Sequence, residues 1–222
     1  MPFSYLSNKN WVEITREERL FCSHLYHRIK DEKDIKSFVD NLNTLKSPIN
    51  EFKNNISLES KNHWEAGFEV CFYRDLLKER GIGVKKDRES LLKSVGKESV
   101  DNLIKRTFDL ALFSEDVIVI IEAKASQGIS RKQFKEFEKD EELITKLFKH
   151  LHLKVPAIRL IILASSSFFV SKSFSSLKGV GRNLIIEKQK RNECKVNALL
   201  SWEQMNDILP DKLFERAEAL GK

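Results

Sequence analysis

Asp109 and the triplet Glu122-Ala123-Lys124 stand in the most apolar part of the chain. Solvated charges have no place there, and a buried charge is costly unless it meets a partner. Residues 107 to 124, TFDLALFSEDVIVIIEAK, read as two short strands, Thr107 to Phe113 and Val117 to Ala123, joined by a polar Ser114-Glu115-Asp116 turn. Strands apolar on both faces lie inside a sheet covered by helices. Alternation puts Glu122 and Lys124 on one face, and Asp109 on the partner strand meets them where the register allows. Two carboxylates brought together in an apolar setting repel each other. A divalent cation removes that cost, and Mg2+ takes one or two carboxylates together with waters and substrate phosphate oxygens. Lys124 adds a positive charge able to orient or deprotonate a water, or to steady a developing oxyanion. The plainer alternative has Asp109 and Glu122 capping strand ends, with Lys124 paired to one of them.

Asp109, twelve intervening residues, then Glu122-Ala123-Lys124 on a second strand resembles the PD-(D/E)XK nuclease superfamily. Phe108 stands where many of its members carry proline. The resemblance covers roughly residues 58–165 and implies an α/β, restriction-endonuclease-like αβββαβ core, a central mixed sheet flanked by helices. It implies hydrolysis of phosphodiester bonds in DNA with Mg2+ or Mn2+, the metal held by Asp109, Glu122 and the Ala123 carbonyl, and Lys124 orienting the attacking water. Members often add a glutamate from the first core helix to the metal site, a position Glu69 fits better than Glu65. The segment QFKEF resembles the Q-x-x-x-Y element of exonuclease-type members, which makes Gln133 a minor catalytic candidate, with Phe137 in the tyrosine's place. Nucleases that cut both strands often pair, so a homodimer is a further expectation. The competing class is a non-catalytic DNA-binding or assembly module on the same fold. A third reading is an unrelated α/β enzyme with an accidental match.

The length, 222 residues, suits one domain with an appendage: an N-terminal helical extension over 1–57 and the nuclease-like domain over 58–222. The 39 basic and 33 acidic residues leave a net charge of +6, compatible with nucleic acid without demanding it. Three scattered cysteines form no CxxC or Cys/His cluster, so neither zinc nor an iron–sulfur cluster is indicated. Free thiols and the lack of a signal peptide point to the cytoplasm. The longest apolar runs are too short to span a bilayer.

The elements that must position these groups follow in order. Thr15-Arg16-Glu17-Glu18 has the form of a capping box, opening a helix with Leu20, Phe21, Leu25 and Ile29 on one side. His24 and His27, three apart, read as partly buried or surface residues rather than ligands. A second helix is expected over about 34–45. Next, 58–80 reads as the strongest helix, with Trp64, Phe68, Phe72 and Leu76 on an apolar arc and Gly81 as its stop. Glu69 falls within that arc, where a salt bridge to Arg74 or Lys124 is the alternative to a metal. Cys71 reads as core. Gly81 to Val84 is a possible first strand, and the basic segment 85–106 is either a phosphate-gripping loop or an ordinary charged surface. A long helix over 130–151, a buried strand over 158–164, a strand over 183–187 and an edge strand over 196–200 follow. Lys188 to Arg191 is a charge run, and Ser201 caps a final helical segment that Pro210 interrupts. The serine-rich stretch after Ala164 lacks the G-x-S-x-G elbow of serine hydrolases.

Overall fold

The structure is a computed structural model that describes residues 18–82, 87, 89–91, 105–125, 129–170 and 182–220. Five strands form one sheet in the order β1 (Glu65–Val70), β2 (Phe108–Phe113), β3 (Val117–Ala123), β4 (Ala157–Ala164) and β5 (Val196–Ser201). The first three pair antiparallel and the last two add in parallel to β3, so the sheet is mixed. Every residue of β3 is buried, as its unbroken apolar run requires of a central strand. The long helix α4 (Arg131–His150) carries the chain from the end of β3 back to the start of β4.

Each face of the sheet has its own apolar layer. On one, α1 (Glu18–Ile29) and α2 (Glu32–Thr44) bring Phe21, Leu25 and Phe38 against Leu110, Val119 and Ile121. Helices α7 (Trp202–Ile208) and α8 (Lys212–Ala219) complete that layer with Trp202 and Phe214. On the other, α3 (Phe72–Glu79), α4 and α6 (Arg182–Lys190) cover Ala111, Ile120 and Leu160. The helices drawn from the first 57 residues thus share a buried cluster with the sheet. The short α5 (Ser166–Val170) follows β4 directly.

Four expectations are corrected. Residues 65–70, read as the middle of a helix, form β1, and the helix is confined to Phe72–Glu79. The apolar residues Trp64, Phe68 and Phe72 recur every four positions, which satisfies a helix and also the even positions of a strand. Pairing with β2 decided between them. The first strand is therefore 65–70 rather than 81–84; Gly81 and Ile82 lie in a turn, and Gly83 and Val84 fall outside the described residues. Residues 182–190 form α6, not a strand, and Ile185 and Ile186 both enter one apolar layer, whereas a strand would turn them to opposite faces. Cys71 precedes α3 and is half-buried beside Thr107; the buried cysteine is Cys22.

Of the capping box expected over 15–18, residues 15–17 lie outside the described residues. Ser130 and Gln133 form a capping box at the start of α4, and Ser201 and Gln204 another at the start of α7. The Glu218 carboxylate, on α8, accepts the Ser166 N–H at the start of α5 and the Glu203 N–H at the start of α7. His24 bonds Asp211 at 2.7 Å, tying α1 to α8. Of the basic segment, 85–86, 88 and 92–104 lie outside the described residues.

Gly67 faces Ala111 on β2, and a Cβ there would lie 2.6 Å from Val70 Cγ2 and 3.3 Å from Phe113 Cε2. Val70 is β-branched and has little rotamer freedom with which to yield. Gly67→Ala is therefore expected to lower unfolding free energy by about 1–3 kcal/mol, read from the denaturant midpoint.

Candidate functional site

The antiparallel hairpin brings the sequence-marked charges together. Leu110 pairs with Ile121, so one step further along the ladder Asp109 stands opposite Glu122. Side chains of directly opposed residues share a face. Asp109 Oδ2 also accepts the Ala123 N–H at 2.9 Å, locking its carboxylate against the end of β3. Lys124 lies just past that end, its own N–H bonded to the Leu163 carbonyl of β4 and its carbonyl accepting the Trp202 indole N–H. The cluster sits at the carboxyl end of the parallel strands, where ligands bind in open α/β sheets.

The Lys124 ammonium makes three short contacts. Nζ lies 3.1 Å from Glu122 Oε1, 2.8 Å from the Ala123 carbonyl oxygen and 3.0 Å from Glu18 Oε2. Glu122 and Lys124 are only 6% and 8% exposed, so these contacts are made largely away from water. On the far side of Glu122, the Arg106 guanidinium lies 3.6 Å from Oε2 and 2.9 Å from Asp140 Oδ2. Asp140, buried in the apolar stripe of α4, also accepts the Tyr73 hydroxyl at 2.7 Å. Four carboxylates thus gather around two cationic side chains.

That imbalance shows in how the groups titrate. Burial, with the Glu122 charge next, pushes the Asp109 carboxyl up to about 6, against the pull of Lys124 and the Ala123 N–H. Burial disfavours the Lys124 ammonium, but Glu122, Glu18 and Asp109 outweigh it and hold the group firmly charged. Burial raises the Asp140 carboxyl despite Arg106 and Tyr73. Burial likewise raises the Cys22 thiol, which faces the cluster from α1 one turn after Glu18, with Asp109 and Glu18 adding to the effect.

The helix glutamates named from the sequence are elsewhere. Glu65 is exposed at the opposite end of β1, across from Phe113, with His63 Nε2 3.5 Å away. Glu69 has φ +48° and pairs at 2.8 Å with Arg19, the neighbour of Glu18 on α1. It lies at the correct end of the sheet, but on a strand, and its partner is neither Arg74 nor Lys124. Gln133 serves the α4 cap: its side-chain oxygen accepts the Ser130 N–H at 3.0 Å. Glu18, Arg106 and Asp140 are the members that sequence reading did not select. Two carried a signal. Glu18 shares a helix stripe with Cys22, Leu25 and Ile29, and Asp140 sits three residues from both Phe137 and Leu143.

Among the described residues, no three of the His, Cys, Asp and Glu side chains form a group able to hold a metal by themselves. The donor types nonetheless suit a hard divalent cation: Glu122, Glu18 and the Ala123 carbonyl already surround one positive charge, and Asp109 stands opposite Glu122. No family model, curated protein or solved structure matches the chain. The fold and site define an α/β protein with a five-stranded mixed sheet flanked by helices and a buried carboxylate–ammonium cluster at the carboxyl edge of β3. No helix among the described residues is long and apolar enough to cross a membrane.

Asp109 binds its proton more tightly in the folded than in the unfolded chain. Its contribution to stability is therefore greatest below the unfolded value of about 4 and is lost as pH rises through about 6. Asp109→Asn removes the penalty while keeping an oxygen for the Ala123 N–H. Without added metal, its gain in unfolding free energy over wild type is expected to be roughly 2–3 kcal/mol larger at high pH than at pH about 4. Chemical denaturation at the two pH values measures it; an equal gain at both removes the charge explanation.

Proposed function

We propose that the chain is a metal-dependent nuclease of the PD-(D/E)XK type, hydrolysing phosphodiester bonds in DNA. The observation that carries this reading is the meeting of Asp109, Glu122 and Lys124 at one sheet edge, with more carboxylate than cationic charge and Asp109 pushed up to about 6. A structural ion-pair network needs no such surplus of like charge. The surplus costs stability in the metal-free chain and is relieved by a divalent cation.

Asp109, Glu122 and the Ala123 carbonyl would hold the cation, with Glu18, rather than Glu65 or Glu69, as the further acidic group within reach of this end of β3. A bound Mg2+ or Mn2+ would polarise the scissile phosphate and lower the pKa of the attacking water. Lys124, strongly held as an ammonium, is a poor base. Its part is to orient the water and to face the negative charge that builds on the phosphate. Arg106 acts through Glu122: gripped by Asp140 and indirectly by Tyr73, it fixes one carboxylate oxygen and leaves the other toward Lys124.

The competing reading, a DNA-binding or assembly module without chemistry, draws on the fact that Glu122 and Lys124 already satisfy each other. Cleavage of plasmid and linear DNA with Mg2+ or Mn2+ separates the two. Wild type is expected to cut, and Asp109→Ala and Lys124→Ala each to lose about 100-fold or more. Undiminished cleavage by either variant removes that residue from the mechanism. DNA binding that ignores metal, with no cutting, favours the module.

A further inference from the structure

We propose that the Lys124 ammonium is a tethered occupant of the cation seat, which it must vacate before a divalent metal binds. The proposal deepens the nuclease reading by naming how the metal-free site is held, and it rests on that reading. An ammonium has three N–H donors and no acceptor. Here Nζ has three oxygens within reach: Glu122 Oε1, Glu18 Oε2 and the Ala123 carbonyl. Two carboxylates and a backbone carbonyl are the hard oxygen donors that Mg2+ or Mn2+ takes. The same atoms cannot fully serve both cations.

The seat is a built one. Glu122 and Lys124 are buried, and Glu18 is delivered by the first turn of α1. Arg19, the next residue, is largely exposed and pairs with Glu69, away from the three oxygens of the seat. The ammonium sits between the Glu122 and Glu18 carboxylates, and this leaves the lysine turned inward. Release of the side chain, not a rearrangement of the sheet, is then what converts the resting site into one whose ammonium faces a substrate. Metal affinity is reduced by the fraction of molecules in which the seat is filled.

Mn2+ binding to the full chain without DNA, followed by the electron paramagnetic resonance of free Mn2+, tests this. Lys124→Met is expected to bind Mn2+ about tenfold or more tightly than wild type. Arg19→Met removes a nearby exposed positive charge that touches none of the three oxygens, and it controls for the general field. Its affinity is expected to stay within about threefold of wild type. Equal affinities in wild type and Lys124→Met overturn the proposal, as do equal gains in both variants or no Mn2+ binding by the folded proteins. A second measurement needs no variant: acylation of Lys124 in the wild-type chain, read by peptide mass spectrometry, with and without saturating Mn2+. Labelling is expected to rise about fivefold with metal, since a displaced amine is more accessible; unchanged labelling with Mn2+ bound overturns the proposal. A chain that passes both tests yet cuts no DNA keeps the seated lysine and loses the nuclease reading. Cleavage with equal affinities does the reverse.

Discussion

Like charge held out of water at the end of β3 is the constraint that the surrounding structure answers. Asp109 and Glu122 face each other because the hairpin register puts them there, and the register is fixed by the apolar ladder from Leu110 to Phe113. Desolvation and mutual repulsion then act on both. Each nearby polar choice offsets part of that: the Ala123 N–H on Asp109, Lys124 between Glu122 and Glu18, Arg106 between Glu122 and Asp140, Tyr73 on Asp140. The chain is bound to such a set, because removing one partner of a buried pair leaves the other charge uncompensated.

The pair at the heart of the site was legible because β-strand alternation and a short antiparallel turn are both local properties. Given Ser114-Glu115-Asp116 as the turn, Asp109 and Glu122 can be counted to opposite positions. The third carboxylate was not legible in the same way. Glu18 reaches Lys124 across more than a hundred residues, and only the packing of α1 on the sheet makes them neighbours. Arg106 looked like the tail of a basic loop, yet it is half-enclosed, stacked near the Phe108 ring and bonded to Asp140. Asp140 announced itself more clearly, as an acid in the buried stripe of α4, a position that demands a partner.

The misplacement of Glu65 and Glu69 has one cause. An apolar residue at every fourth position fits a helix face and also one face of a strand, and the segment has little β-branching with which to choose. Pairing with β2, a long-range contact, settled it as β1. Glu69 then lands near the site by sheet register rather than by helix geometry, in a left-handed conformation that breaks the ladder and turns its carboxylate to Arg19. The mixed sheet, the α4 crossover and the β4 strand survived that error, since each has its own local signature.

Glu218 has a further consequence. At the carboxyl ends of β4 and β5, the opening amides of α5 and α7 would otherwise form an electropositive cradle, and a side chain from α8 already fills it. An incoming polyanion is therefore met by a resident negative group over that half of the sheet edge. One carboxylate from α8 thus closes the amide ends of two helices at once and ties three separate elements together at that corner of the sheet.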